Sequence, residues 1–169
     1  NAHLSTLHDT RFRAVRGQSF AVDLIGVDQL GFRAQGVMPK DPRKYRIYGA
    51  TILSPCAGTI TSVTDGLPDM AVPQRDRAHL PGNHVLLDCG GYIAVLAHMA
   101  PGSIGVEVGD VLEAGVRLGQ VGNSGNTDEP HLHLHVQRGA PAANPLSGEP
   151  LWFTVEGRFL VRNDILSAN

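Results

Sequence analysis

The chain has 169 residues, 42% apolar and 18% charged, a balance that supports a folded core and excludes wholesale disorder. Its formal net charge of −2 offers no basic field for nucleic acid or anionic lipid. No apolar run approaches a membrane span and no secretory signal pattern is present, so neither a nucleic-acid partner nor a transmembrane segment is expected.

Residues 1–17 hold His3, His8 and the arginines Arg11, Arg13 and Arg16 without a clean period. They read as an irregular N-terminal arm ahead of a domain over 18–169, a length that suits one domain with an extension. Residues 18–25 alternate as a strand, with Phe20 and Val22 on one face and Ala21 and Asp23 on the other. Residues 28–48 are mixed and Pro-containing, a long excursion over the surface. From Ile52 the texture becomes regular. A strand over 59–63 follows the turn at Ala57-Gly58, a polar, Pro-rich loop covers 65–82, and strands return over 83–88 and 92–98 around Gly90-Gly91. Two short strands are expected within 106–115, and residues 118–126 lead into a histidine-bearing segment. The tail reads as a hairpin, 152–155 against 159–161, around Glu156-Gly157. No segment of useful length carries a helical period with caps. With 20 glycines and 11 prolines as punctuation, the expectation is an all-β, antiparallel sandwich or half-barrel.

The most informative segment is Pro130-His131-Leu132-His133-Leu134-His135-Val136. As a strand it places three imidazoles on one face and Leu132, Leu134 and Val136 on the other, with successive histidines roughly 6–7 Å apart. One imidazole can then hold a metal while its neighbour reaches a substrate or water; the plain alternative is a strand whose wet face is rich in histidine. Cys56 and Cys89 are too few for a disulfide scaffold and lack zinc-knuckle spacing. They are either two buried thiols or one bridge, and pairing of the 59–63 and 84–89 strands would bring them close.

Three motifs between Ile52 and Val136 resemble the lysostaphin/LytM-like zinc metallopeptidases, family M23. They are Ser54-Pro55-Cys56-Ala57-Gly58-Thr59-Ile60, then Leu96-Ala97-His98-Met99 with the Val108-Gly109-Asp110-Val111 turn, then Gly122-Asn123-Ser124-Gly125-Asn126 followed by Pro130-His131-Leu132-His133. The resemblance covers about half the chain. It implies a duplicated-hybrid-motif β-fold, one zinc ion per chain, and hydrolysis of stem or cross-bridge peptides in bacterial peptidoglycan, hence an extracytoplasmic home in the periplasm, the cell envelope or outside the cell.

Carried over by position, the resemblance makes His133 and Asp23 zinc ligands and sets His98 and His131 beside the metal as the catalytic pair. It also exposes a departure. The family's first zinc-binding histidine precedes the aspartate by four residues, and here that position is Ser19, after Gln18. Catalytic zinc usually takes three protein ligands, so the third must come from elsewhere. A subgroup with Gln-x-aromatic-Ala-x-Asp places its histidine upstream, often after an asparagine. Asn1-Ala2-His3 resembles that arrangement, which favours His3 over His8. His135 is read as lying behind the ligands or at the rim, His84 as packing or loop tethering, and His79 as solvated. Asp128 and Glu129 rim the cleft, and Arg75 and Arg77 either meet peptide carboxylates or stay solvated.

Two other functions compete. A degenerate M23-like domain could bind peptidoglycan or a partner without cleaving, a reading prompted by Ser19. A biotinyl or lipoyl carrier domain of related topology is remote, since the only lysines, Lys40 and Lys44, precede the matched core, whereas a two-histidine phosphotransfer domain is conceivable but explains neither Asp23 nor the arm.

Overall fold

In the computed structural model, residues 10–139 and 144–166 are described; His3 and His8 lie outside them. Among the described residues nine strands form: β1 (Val22–Leu24), β2 (Thr51–Leu53), β3 (Gly58–Thr64), β4 (Asn83–Asp88), β5 (Ile93–Met99), β6 (Val111–Leu112), β7 (Arg117–Gln120), β8 (Leu132–Arg138) and β9 (Glu149–Leu151). The larger sheet runs β1-β8-β5-β4-β3-β6, with β9 also on β8, and β2-β7 forms a second sheet; every pairing is antiparallel. The fold is all-β and its sheets do not close.

Alternation decides what each face does. Ala94 and Leu96 of β5 and Val85 and Leu87 of β4 turn to one face, where Ile52 of β2 and Leu118 of β7 meet them in the main core. Leu132 and Leu134 of β8 pack on the same cluster. The opposite face of β8 therefore carries His133 and His135, whose register partners on β5 are Ala97 and Val95. That face is not wet: Val95, Ala97, His133 and His135 are all buried.

Part of the cover is the segment Thr10–Phe20, which packs on β8 and β9. The sequence suggests an irregular arm passing into a strand at residue 18, but this stretch forms 3-10 turns kinked at Val15, and the strand shrinks to Val22–Leu24. Tertiary contacts explain the change. Gly17 N donates to Leu146 O at 2.7 Å, and Asn144 Nδ2 donates to Ala14 O at 2.8 Å. A Cβ at Gly17 would sit 1.8 Å from Gln137 Oε1, so only glycine lets the turn lie this close to β8. Buried Gln137 is held in turn by Gly148 N and Pro145 O.

Two other expectations contract. Within 106–115 only β6 forms, because Asp110 Oδ2 accepts from Glu107 N at 2.8 Å and commits the preceding residues to a turn. The tail hairpin reduces to a single bridge between Val155 and Arg158, around Glu156 at φ 52°.

Cys56 and Cys89 form a disulfide across the β3–β4 ladder, closing 33 residues of sequence separation. Replacing both with alanine should lower stability by about 2–4 kcal/mol, the scale for a closed loop of this size. Urea unfolding reads the effect; an unchanged midpoint would mean that the ladder alone holds this corner.

Candidate active site

The site is assembled from the ends of three strands. Asp23 of β1 is the register partner of His133 of β8, so the two share a face and a position. Their contact is close: Asp23 Oδ1 lies 2.9 Å from His133 Nδ1 and 3.6 Å from His131 Nε2. His131 sits just ahead of β8 and is partly buried, whereas the Asp23 side chain is 41% exposed and opens the site to solvent.

His98 arrives by a less obvious route. Ala97 is the partner of His133, so a regular strand would send the next residue to the opposite face. Instead His98 has φ 62°, in the left-handed region that few residues other than glycine adopt. Its N–H donates to Pro81 O and its carbonyl accepts from Gly122 N, both at 3.0 Å, so loops on each side hold the conformation. The imidazole thereby reaches the histidine face, with ring centroids 4.7 Å from His131 and 5.8 Å from His133. Strained backbone of this kind concentrates at functional sites.

Backbone carbonyls fix two of the three rings. His98 Nδ1 donates to Ser124 O at 2.8 Å and His131 Nδ1 to Glu129 O at 2.8 Å. A carbonyl only accepts, so each Nδ1 carries the proton and each Nε2 is left with its lone pair when the ring is neutral. One nitrogen from each of His98, His131 and His133 falls within a 4.8 Å group. Three imidazoles beside a carboxylate make a donor set suited to zinc. The His133 ring is bounded on its other side by His135 Nδ1, 3.0 Å from Nε2. His135 is fully buried, so it belongs behind His133 and not at the cleft rim.

Burial, with His131 and His133 as neighbours, pushes the pKa of His98 well below its ordinary value; the Ser124 carbonyl opposes this only in part. Burial also lowers His84, whose Nδ1 donates to Gly82 O at 2.7 Å. Each ring therefore takes up its proton at a lower pH in the fold than in the unfolded chain, which protonates near pH ~6.5. Below that pH the unfolded state binds more protons, so stability falls as pH falls and is fully present above it. Thermal melts of chelator-treated protein should therefore be flat above pH ~7 and decline toward pH 5, less steeply in His84→Gln. A flat profile through that range in the parent would contradict both depressed values.

Several contributors escape a reading of motifs. Ser124 supplies a carbonyl instead of its side chain, and its loop is pressed against the 79–82 turn through Gly125, where a Cβ would lie 2.4 Å from Gly82 N. Asp69 accepts from Asn123 N at 2.6 Å and from Tyr48 Oη at 2.7 Å; burial, followed by the Asp69 hydrogen bond and charge, pushes the Tyr48 phenol up to about 12. Thr127 Oγ1 donates to Glu129 O at 2.7 Å and stands 3.1 Å from His131 Nδ1. Arg33 pairs with Glu129 and Arg75 with Asp128, so both long loops are clamped to the dipeptide ahead of the histidines. Ser19 is buried, and its hydroxyl donates to Arg16 O at 2.6 Å. His79 contacts Asp76 at 2.7 Å.

The family model described as Peptidase family M23 matches residues 45–145, a stretch that includes His98, His131 and His133 and leaves out Asp23. No curated protein matches the sequence. Solved structures similar to the chain include the catalytic domain, in mutant form, of the prophage-encoded M23 protein EnpA from Enterococcus faecalis. It is 20% identical, with 78% of this chain and 87% of that one covered and a TM-score of 0.48. The catalytic domain of the antimicrobial peptidase lysostaphin from Staphylococcus simulans is 18% identical, with coverage of 68% and 84% and a TM-score of 0.43. A zinc-containing peptidase from Vibrio cholerae is 19% identical, with coverage of 75% and 37% and a TM-score of 0.44.

Proposed function

Because the chain belongs to peptidase family M23, we propose that it is a zinc-dependent endopeptidase hydrolysing peptide bonds in bacterial peptidoglycan, in stem or cross-bridge peptides. The observation that carries this reading is the convergence of Asp23, His98, His131 and His133 on one face, with Asp23 Oδ1 and His133 Nδ1 only 2.9 Å apart. Two such donors side by side, a carboxylate oxygen and an imidazole nitrogen, match the preferences of zinc. Asp23 and His133 would hold the ion with His3 as the third ligand, since the residue four before Asp23 is Ser19, which supplies no imidazole. Zinc in that position supplies a water of lowered pKa and polarises a carbonyl.

The chain's own groups do the rest. Nε2 of His98 and Nε2 of His131 can each take a proton from an attacking water, or return one to a departing amine. A protonated ring at either place also stabilises negative charge on the carbonyl oxygen. The disulfide supports a home outside the reducing cytoplasm, and among the described residues no helix is long and apolar enough to cross a membrane.

A second reading rests on Ser19. A chain lacking the third ligand would bind peptidoglycan or a partner without cutting it. Metal analysis of protein purified without added metal, alongside muropeptide digestion, separates the two. Roughly one zinc per chain is expected, and deleting residues 1–7 should abolish zinc retention while leaving the β-fold intact. Zinc retained after that deletion would move the third ligand to His8 or to a group outside the protein. An intact chain that neither binds zinc nor cleaves muropeptides would establish the binding domain instead.

A further inference from the structure

His133 differs from the other two histidines of the cluster in what holds it. His98 and His131 each give Nδ1–H to a carbonyl, and a carbonyl can never donate, so their tautomers have no choice. His133 lies between a carboxylate and another imidazole. Nδ1 is 2.9 Å from Asp23 Oδ1, and Nε2 is 3.0 Å from His135 Nδ1. The rings of His133 and His135 meet edge to face with centroids 5.1 Å apart. Both are buried, where a broken hydrogen bond is costly.

We propose that His133 and His135 form a tautomer relay, with His135 the positioning residue that keeps Nε2 of His133 hydrogen-bonded whichever nitrogen bears the proton. Without metal, the Asp23 carboxylate can only accept, so the proton sits on Nδ1 of His133. Its Nε2 must then accept, and His135 donates through Nδ1–H. When Nδ1 of His133 serves as a metal ligand it must give up that proton. The balance closes within the pair. Nδ1 of His133 releases one proton to solvent, the Nδ1 proton of His135 passes to Nε2 of His133, and Nε2 of His135 takes one proton back from solvent, so the pair holds two protons before and after. Both rings stay neutral, the 3.0 Å hydrogen bond reverses direction, and no net charge is buried. A carbonyl in the place of His135 would serve only the metal-bound state, because it could not donate to Nε2 in the other.

This inference rests on the assignment of Nδ1 of His133 as a zinc ligand, and its test separates the two. The histidine ring nitrogens of the intact chain, labelled with ¹⁵N, are observed by long-range ¹H–¹⁵N correlation without metal and after adding zinc. The metal-free spectrum should show Nδ1–H on both His133 and His135; any other pair of tautomers overturns the relay, whatever zinc does. With zinc, both rings should change to Nε2–H together. A His133 signal that shifts on zinc while His135 keeps its tautomer leaves the ligand assignment standing and defeats the relay.

Chelator competition adds a readout independent of activity. His135→Gln can accept through its amide oxygen or donate through its nitrogen, and should keep zinc affinity within about threefold of the parent. His135→Leu offers neither and should weaken zinc by about 10–100-fold, the usual effect of losing a ligand's outer hydrogen-bond partner. Parental affinity in a folded His135→Leu protein would also overturn the proposal.

Discussion

Asp23→Ala and His133→Ala should each leave protein that folds but no longer retains zinc, and muropeptide cleavage should disappear with the metal. The two side chains are 2.9 Å apart and come from strands paired in register, so removing either dismantles the same donor pair. In a site with three protein ligands, loss of one should weaken binding by well over the roughly 10–100-fold that an outer hydrogen-bond partner is worth. Metal analysis after dialysis against a weak chelator reads the result, with circular dichroism to check the fold. If both variants carry zinc as the parent does, the ligand assignment is wrong. The ion then rests on donors other than these two, with His98 and His131 the histidines of the cluster that remain to hold it.

The second large effect has the opposite signature. His98→Ala and His131→Ala should keep zinc and keep the fold, yet lose about 10²–10⁴-fold in hydrolysis, the scale for an absent acid–base group. Each presents Nε2 to the cluster while its Nδ1 is anchored to backbone, so truncation removes a proton-transfer group without disturbing Asp23 or His133. Parental turnover in either variant removes that histidine from the mechanism. Loss of zinc in either one makes it a ligand.

Different kinds of information account for what could be read from the chain. Strands β4, β5 and β8 are legible because each is six or seven residues long and alternates or runs apolar throughout, so local pattern and tertiary role agree. Strands β2, β7 and β9 have three or four residues, too few for a period to declare itself. The Thr10–Phe20 turns have no capped periodicity and owe their shape to partners more than 100 residues away, such as Leu146 against Gly17. For the site, the spacing of His131, His133 and His135 is visible because alternation is a local rule. The placement of His98 is not, since it depends on a left-handed residue held by Pro81 and Gly122. Nor does local pattern tell that His135 would be buried, because what covers that face comes from elsewhere in the chain. The choice between two thiols and a bridge likewise waited on the β3–β4 register, in which Thr59 lies opposite Asp88.

The docking of Thr10–Phe20 on β8 and β9 also gives the proposed third ligand a leash. His3 precedes Thr10 by seven residues, a reach of at most about 25 Å of extended chain. A donor joined by so short a stretch of chain competes as an intramolecular ligand, at an advantage over any free competitor at trace levels. Cutting a single peptide bond between His3 and Thr10 would release that donor and silence the centre, with the sheet untouched. The same arithmetic allows reversal: millimolar imidazole, or a short histidine peptide supplied separately, should restore zinc retention to the trimmed protein.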